Sequence, residues 1–152
     1  MTQTINITRK SKIQIMAITQ STLDPQTTEF LREKRFAVMA TINKDGTPQQ
    51  TVMWYDLRGD RIMMNTAAGR LKEGNLQRDP RISLCIEDEY NYVTIKGQVE
   101  LDYDQDRAQA DIKALAIRYK GQSQGELMAR NTFSKQERIT LYMSIDQVDT
   151  HF

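Results

Sequence analysis

The chain has 152 residues, of which 27% are charged and 39% are hydrophobic, and its formal net charge is +1. This length suits one domain with one core. The near-neutral charge gives no basic field for nucleic acid, and no apolar run approaches the ~20 residues needed to span a bilayer. Cys85 is the single cysteine, which excludes an intrachain disulfide and fits a reducing compartment. We therefore expect a cytoplasmic protein that binds neither nucleic acid nor membrane.

The N-terminal end differs in composition from the rest of the chain. Residues 1–20 are polar and β-branched, and they predict an extension that is either a frayed tail or an extra strand built on the alternation Ile13, Ile15, Ala17. Residues 21–152 predict a single domain. It opens with a helix over residues 25–34, because Asp24-Pro25 is a favourable N-cap and first-turn pair.

Strands dominate the remainder of the predicted domain. Alternating apolar residues predict strands over 36–42, 49–56, 61–65, 81–87, 93–103, with a bend or bulge at Gly97, and 139–145. Further helices are predicted over 70–77 and 105–120, and Gly121 ends the second one. Residues 121–135 are rich in Gln, Gly and Ser, and they predict an irregular surface loop or lid. Six or seven strands with two or three helices favour a mainly β protein, a small closed antiparallel barrel with peripheral helices.

The segment from Asn65 to Lys72 carries the clearest chemical signal. It places small and hydroxyl residues, a glycine and two cations where a strand turns into a helix. A helix N-terminus offers unpaired N–H groups and a partial positive charge, so it favours a phosphate. Arg70 adds a bidentate fork and Lys72 a point charge. A solvated, basic helix start is the alternative interpretation.

Conventional catalytic residues are scarce in this sequence. His151 is the single histidine and lies next to the C-terminus, which gives little support for a catalytic triad or a histidine metal site. Cys85 lies in an alternating strand and is expected to be a packed residue. The acidic run over 87–89 is expected to be a solvated loop, so we predict no metal site.

An ordered series of motifs resembles the pyridoxamine 5′-phosphate oxidase-like split-barrel proteins, and within them the small F420 (deazaflavin)-dependent enzymes. The resemblance spans about residues 23 to 119. It rests on Phe36-Ala37-Val38-Met39-Ala40-Thr41, Asp45-Gly46-Thr47-Pro48-Gln49, Val52-Met53-Trp54-Tyr55, and Asn65-Thr66 followed by Gly69-Arg70-x-Lys72-x-x-Asn75-Leu76-x-x-Asp79-Pro80-Arg81.

This resemblance implies a split antiparallel β-barrel that forms a homodimer, with cofactor clefts at the subunit interface. It implies that Asn65, Thr66, Gly69, Arg70 and Lys72 lie at the cofactor phosphate. It also implies that the strand Gln50, Thr51, Val52, Met53 and Trp54 runs along an isoalloxazine-type ring. Relatives often have proline at the position of Val52, whereas valine keeps an N–H group for the ring edge. For Trp54, the only tryptophan, a place in the core is the alternative.

The expected function is an oxidoreductase that moves a hydride between F420 and a small unsaturated or carbonyl-bearing molecule. FMN is the alternative cofactor. F420 carries an acidic oligoglutamate tail, for which Lys34, Arg35 and Arg61 are candidate partners or plain surface charges. A non-catalytic flavin or F420 carrier or sensor stays open. A pyridoxamine-phosphate oxidase proper and a haem-handling protein are disfavoured, because their additional basic residues and axial ligand, respectively, are not recognisable.

Overall fold

Eight antiparallel strands form one curled sheet within residues 23–152, the part of the chain that the computed structural model describes. Their bounds are β1 Ala37–Ile42, β2 Pro48–Met53, β3 Asp56–Arg58, β4 Arg61–Ala67, β5 Arg81–Asp88, β6 Asn91–Asp102, β7 Arg138–Ser144 and β8 Gln147–His151. The strand order is β2-β1-β5-β6-β7-β4-β3, and β8 pairs with β6. The predicted mainly β fold class is confirmed, with eight strands instead of six or seven. The prediction for residues 1–20 lies outside the described residues.

Four α-helices surround the sheet in the described part of the chain, instead of the two or three predicted. They are α1 Pro25–Arg32, α2 Leu71–Arg78, α3 Gln105–Lys120 and α4 Gln122–Asn131, followed by a 3-10 turn over Phe133–Lys135. As predicted, Asp24 caps α1, and its Oδ1 accepts a hydrogen bond from the Thr27 N–H at 2.7 Å. None of these helices is both long and apolar enough to cross a bilayer.

The loop or lid predicted over 121–135 is wrong, because most of this segment is the helix α4. Gly121, with φ +88°, turns the chain back at the end of α3. Gly125 then allows α4 to approach α3, since a Cβ at this position would lie 2.5 Å from the backbone nitrogen of Ile117. Packing between the two helices therefore stabilises a segment whose composition is typical of a loop.

The strand predicted over 49–56 is interrupted at Trp54 and Tyr55. The Tyr55 side chain is fully buried, and its hydroxyl donates to the Leu31 carbonyl at 3.0 Å. Its backbone N–H donates to the Tyr119 hydroxyl at 3.1 Å, where a strand neighbour would otherwise accept. The chain leaves β2 and resumes as β3 at the other end of the strand order, so this corner connects the two ends of the curled sheet.

The long strand β6 changes partner at Gly97. Residues 92–96 pair with β8 and residues 99–102 pair with β7, while pairing with β5 is continuous through Gly97. The residue is therefore a site of close approach in a regular ladder, and not a bulge on the β5 side. A Cβ here would lie 1.8 Å from the Ser144 carbonyl oxygen.

Two apolar clusters fill the molecule on either side of β4. The larger one lies inside the curled sheet and includes Ile62 and Met64. The smaller one packs beneath α3 and is made of Met63, Ile112, Leu115, Ala116, Tyr119 and Phe133. Since side chains alternate along a strand, β4 presents Asn65 on the α3 side and Thr66 on the barrel side.

Candidate functional site

The turn from β4 into α2 is where the sequence predicts an anion site. The backbone leaves the sheet after Ala68, whose N–H still donates to the Glu137 carbonyl at 2.9 Å. Gly69 follows with φ +80°, a conformation that favours glycine. Arg70 is the N-cap residue of α2, and its side chain makes no capping hydrogen bond. The helix predicted over 70–77 is confirmed over residues 71–78.

Glu73 partly satisfies the start of this helix. Its Oε2 accepts a hydrogen bond at 2.6 Å from the N–H of Gly69, the residue before the N-cap. Its Oε1 accepts from the Tyr103 hydroxyl at 3.3 Å. One N–H group of the turn is therefore already bonded to a carboxylate of the same helix.

Three cations gather around this turn: Arg70, Lys72 and Arg138. Arg138 begins β7 and is the direct cross-strand partner of Ala67 at the end of β4. None of the three forms an ion pair with a carboxylate in the described part of the chain. Such a cluster favours a bound anion, because an anion would offset both the mutual repulsion and the burial of the charges.

The pKa values of two of these cations reflect the crowding. Burial, followed by the charges of Arg70 and Arg138, lowers the pKa of the half-buried Lys72. Burial and then the charge of Arg70 lower the pKa of Arg138 to about 10. When no anion is bound, Lys72 and Arg138 therefore lose their protons more readily than they would in the unfolded chain.

Asn65 and Thr66 contribute to this site in different ways. The Asn65 side chain is buried, and its Nδ2 donates to the Ala108 carbonyl at 2.9 Å and to the Thr140 Oγ1 at 3.2 Å. Its Oδ1 accepts from the Arg138 Nε at 2.9 Å, so its amide is largely engaged within the protein. Thr66 is also buried, at 5% exposed on the barrel side of β4, and its hydroxyl makes no hydrogen bond within the described residues.

Sequence reasoning missed Arg138 as a candidate site residue. It is brought to the turn by the pairing of β4 with β7, two strands that are far apart in the chain. An arginine at the start of a predicted strand gives no local signal that distinguishes it from a surface charge. Its place beside the turn could be predicted only from the pairing of β4 with β7 in the correct register.

The predicted ring-binding residues lie on β2 and just beyond its end. Within the described sheet β2 pairs with β1 alone, so its other edge has free backbone groups. On this strand Val52 is 62% exposed, whereas the Met53 side chain lies in the core. Gln50 is exposed and Thr51 half-buried.

Hydrogen bonds connect β2 to α2. The Asn75 Nδ2 donates to the Thr41 Oγ1 at 3.1 Å, and the Thr41 hydroxyl donates to the Gln49 Oε1 on β2 at 3.5 Å. The turn between β4 and α2 precedes Asn75 by about one helical turn. The free edge of β2 and the cation cluster are therefore parts of one connected structure.

Trp54 packs against α3 and not in the main core. Its indole stacks on the Tyr119 ring, with 5.1 Å between the centroids and 9° between the planes. The Lys120 Nζ lies 6.0 Å from the centroid of the same indole. The tryptophan belongs with the smaller apolar cluster, and it is half-buried at the corner that follows β2.

The cations predicted for an acidic tail have other partners or are isolated. Arg35 lies 2.7 Å from Glu33 and 2.9 Å from Asp88, and Arg61 lies 3.6 Å from Glu100. Lys34 is exposed. Beside Arg70, however, a cleft of about 580 Å³ opens between the β1–β2 turn and α2, and it is lined by Asn43, Lys44, Asp45, Leu71, Gly74, Asn75 and Arg78.

The remaining reactive side chains lie away from this turn along the sheet. Cys85 is half-buried on β5, between Val38 and Thr94 of the neighbouring strands. His151 stacks on Tyr92, with 5.3 Å between the ring centroids. Across residues 23–152, no group of three or more His, Cys, Asp or Glu side chains is arranged to hold a metal ion.

A sequence model of the pyridoxamine 5′-phosphate oxidase family matches residues 23–150. The chain belongs to this family. The family includes oxidoreductases and binds flavin-type cofactors, FMN or F420. The cation cluster on this chain fits the phosphate that both cofactors carry, since its three cationic side chains have no carboxylate partner in the described residues.

Three solved structures illustrate how the pyridoxamine 5′-phosphate oxidase fold is shared. The conserved hypothetical protein Rv2991 from Mycobacterium tuberculosis is 24% identical over 87% of this chain and 86% of its own, with a TM-score of 0.73. A protein described as an F420 reductase is 20% identical, and the match covers 84% of this chain and 98% of that protein, with a TM-score of 0.68. HutZ, the heme storage protein from Vibrio cholerae, is 14% identical, and the match covers 84% of this chain and 94% of HutZ, with a TM-score of 0.63. At these identities, the likeness establishes the fold alone.

Proposed function

We propose that this protein is an F420-dependent oxidoreductase that transfers a hydride between the deazaflavin and a small unsaturated or carbonyl-bearing substrate. An FMN-dependent oxidoreductase of the same family is the close alternative. The observation that carries the proposal is the pair Arg70 and Lys72 at the start of α2, without a carboxylate ion pair in the described part of the chain.

In this proposal the turn after β4 holds the cofactor phosphate. Arg70 donates a bidentate pair of hydrogen bonds and Lys72 supplies a point charge. The Thr66 hydroxyl and the first N–H groups of α2 complete the donor set, and the helix dipole adds to the attraction. The bound flavin or deazaflavin supplies the hydride chemistry through its own ring.

The free edge of β2 is the proposed support for the ring. A flat ring system needs an apolar slot and a few backbone donors at its edge. Gln50, Thr51, Val52 and Met53 offer such a backbone on an edge strand, and Val52 retains the N–H group that a proline would lack. Trp54, held by Tyr119, borders this region and would exclude water from one end of it.

The cleft beside Arg70 is the observation that favours F420 over FMN. The acidic tail of F420 extends beyond the phosphate, and the cleft begins at Arg70 and carries Lys44 and Arg78. Asp45 also lines the cleft and opposes an acidic chain. The net positive lining nevertheless suits an oligoglutamate better than the candidates Arg35 and Arg61, which already have carboxylate partners.

We also propose that the protein is a homodimer with the cofactor at the subunit interface. The outer face of β1 and β2 exposes apolar side chains, of which Val52 is 62% and Phe36 57% exposed. Half-buried Val38, Ala40 and Cys85 continue this face across β1 and β5. A barrel of this size has little interior room for a ring system, so a second copy would cover both the apolar face and the cofactor.

Spectra and turnover test this proposal in two steps. The purified protein is exposed separately to FMN and to F420, and visible absorbance and fluorescence report binding of each. Reduced cofactor is then offered with a panel of enones, aldehydes and imines as acceptors. Binding with turnover supports an oxidoreductase, binding without turnover indicates a carrier or sensor, and failure to bind either cofactor contradicts the proposal.

A further inference from the structure

We propose that Arg138 is a third phosphate-binding residue and that Asn65 positions it for this role. The inference rests on the proposed function, because it concerns the same cofactor site. It adds a residue from β7, and it gives the buried Asn65 a role that does not require contact with the cofactor.

The fold places Arg138 beside the phosphate-binding turn. It faces Ala67 directly across the β4–β7 ladder, and the preceding Glu137 carbonyl accepts the Ala68 N–H at 2.9 Å. The turn through Gly69 to Arg70 begins at that point. Because two backbone contacts fix the start of β7 against the end of β4, Arg138 cannot move independently of the turn.

The burial of Arg138 without an acidic partner is the central observation. It is 7% exposed and is the only arginine in the buried class among the described residues. The more shielded arginines among the described ion pairs have carboxylate partners: Arg35 lies close to Glu33 and Asp88, and Arg118 lies 3.8 Å from Asp56. A buried charge that lacks a counterion is costly, so an anionic ligand would supply the missing partner.

The neighbours of Arg138 orient its guanidinium without neutralising it. Nε donates to the Asn65 Oδ1 at 2.9 Å, and Nη1 donates to the Gln136 Oε1 at 2.6 Å. The group lies 5.0 Å from the centroid of the Phe133 ring. Both hydrogen-bond acceptors are neutral amides, and no hydrogen bond within the described residues uses Nη2. One end of the fork is therefore held, while the other can bond a phosphate oxygen.

Titrations with FMN and riboflavin test this role, because riboflavin lacks the phosphate. Arg138→Gln removes the charge, and Arg138→Lys keeps it. We expect Arg138→Gln to weaken FMN binding roughly 10- to 100-fold, as loss of a hydrogen bond to a charged group does, with riboflavin binding changed less than about threefold. Arg138→Lys should recover a large part of the difference. Arg35→Gln, at an arginine with carboxylate partners, is the matched control and should leave the FMN-to-riboflavin ratio unchanged.

Gln136→Glu provides a second test that does not remove the arginine. It replaces the neutral acceptor of Nη1 by a carboxylate of similar shape, which supplies an internal counterion for Arg138. We expect it to lower affinity for FMN but not for riboflavin, and to reduce the rise in melting temperature that inorganic phosphate gives the cofactor-free protein. A purely structural role for Arg138 predicts no change in either measurement.

Arg70→Ala separates failure of this inference from failure of the proposed function. If Arg70→Ala weakens FMN selectively and Arg138→Gln does not, the phosphate site stands and the role of Arg138 is wrong. If neither variant changes the FMN-to-riboflavin ratio, the phosphate site itself is wrong. Equal weakening of FMN and riboflavin by Arg138→Gln would also overturn the inference, since it indicates a general loss of structure.

Discussion

Lys72 and Arg138 are cations whose charged forms are disfavoured in the cofactor-free protein. Burial is the main cause at both positions, and like charges add to it. Because their pKa values lie below those of the unfolded chain, the unfolded state retains more protons at alkaline pH. The contribution of Lys72 and Arg138 to the free energy of unfolding therefore increases as the pH rises through their folded-state pKa values. A bound phosphate would raise the pKa values of both side chains, because its negative charge favours their protonated forms.

The preference for FMN over riboflavin should consequently depend on pH. We expect it to rise between pH 5 and 7, because the second ionisation of a phosphate monoester occurs at about 6. It should fall again at alkaline pH, where Lys72 loses its proton, because burial lowers the pKa of this side chain below its ordinary value. Calorimetric titrations across this range measure both limbs.

Lys72→Arg is the control for the alkaline limb. Arginine keeps its charge to a higher pH than lysine, so the decline should shift upward in this variant. A ratio that stays constant from pH 7 to 10 in the parent protein would indicate that Lys72 does not hold the phosphate.

At the level of the elements, two glycines in helices have opposite surroundings. Gly125 lies in α4, where a Cβ would meet the backbone of Ile117 in α3 at 2.5 Å. Gly74 lies in α2, and nothing lies within 4 Å of its added Cβ. The first glycine is required by helix packing, whereas the second only lowers the helix propensity of α2.

Alanine substitutions should therefore change stability in opposite directions. Gly125→Ala is expected to lower the free energy of unfolding by about 1–3 kcal/mol, which is typical of overpacking. Gly74→Ala is expected to raise it by up to about 1 kcal/mol, the difference in helix propensity. Urea denaturation measures both. An unchanged or higher midpoint for Gly125→Ala would show that α4 does not need this close approach to α3.

Local patterns predicted those elements that are specified by their own residues. The alternation in β1, β5, β6 and β7 follows from burial on one face, and α1 follows from the Asp24-Pro25 pair. The helix α4 depends on a contact with α3, and the break between β2 and β3 depends on a hydrogen bond to Tyr119. The strand β8 is polar and largely exposed, and its pairing with β6 defines it. These three features are products of tertiary structure.

The candidate site shows the same division. Gly69, Arg70 and Lys72 are consecutive enough to form a local motif at a strand-to-helix turn, so the sequence indicates them. Arg138 reaches the same turn only through the β4–β7 ladder, and Asn65 acquires its partner in the same way. The pairing of Arg35 with Asp88 was equally invisible, because Asp88 comes from a distant strand.

At the scale of the whole molecule, we propose that a second copy of the chain covers the apolar outer face of β1, β2 and β5. Phe36 extends this face, and the centroid of its ring lies 5.5 Å from that of Tyr119, which also stacks on the Trp54 indole. A second copy seated here would cover the free edge of β2 as well. Dimerisation and cofactor binding should therefore be coupled.

Light scattering should give about twice the chain mass of 17.6 kDa at micromolar concentration. Phe36→Asp should shift the protein toward the monomer and weaken cofactor binding, because it places a charge on the proposed interface. Tyr90→Asp is the matched control, since Tyr90 is 88% exposed in the turn between β5 and β6. A monomeric parent protein that still binds its cofactor tightly would contradict the interface cleft.

The most direct test of the cofactor site is the ratio of dissociation constants for riboflavin and FMN, measured by calorimetry in the parent protein and in Arg70→Ala and Lys72→Ala. If the β4–α2 turn holds the phosphate, the parent should prefer FMN strongly, and each variant should reduce this preference roughly 10- to 100-fold. Riboflavin affinity and the melting temperature of the cofactor-free protein should change little. Equal losses for FMN and riboflavin would show that Arg70 and Lys72 do not hold the phosphate.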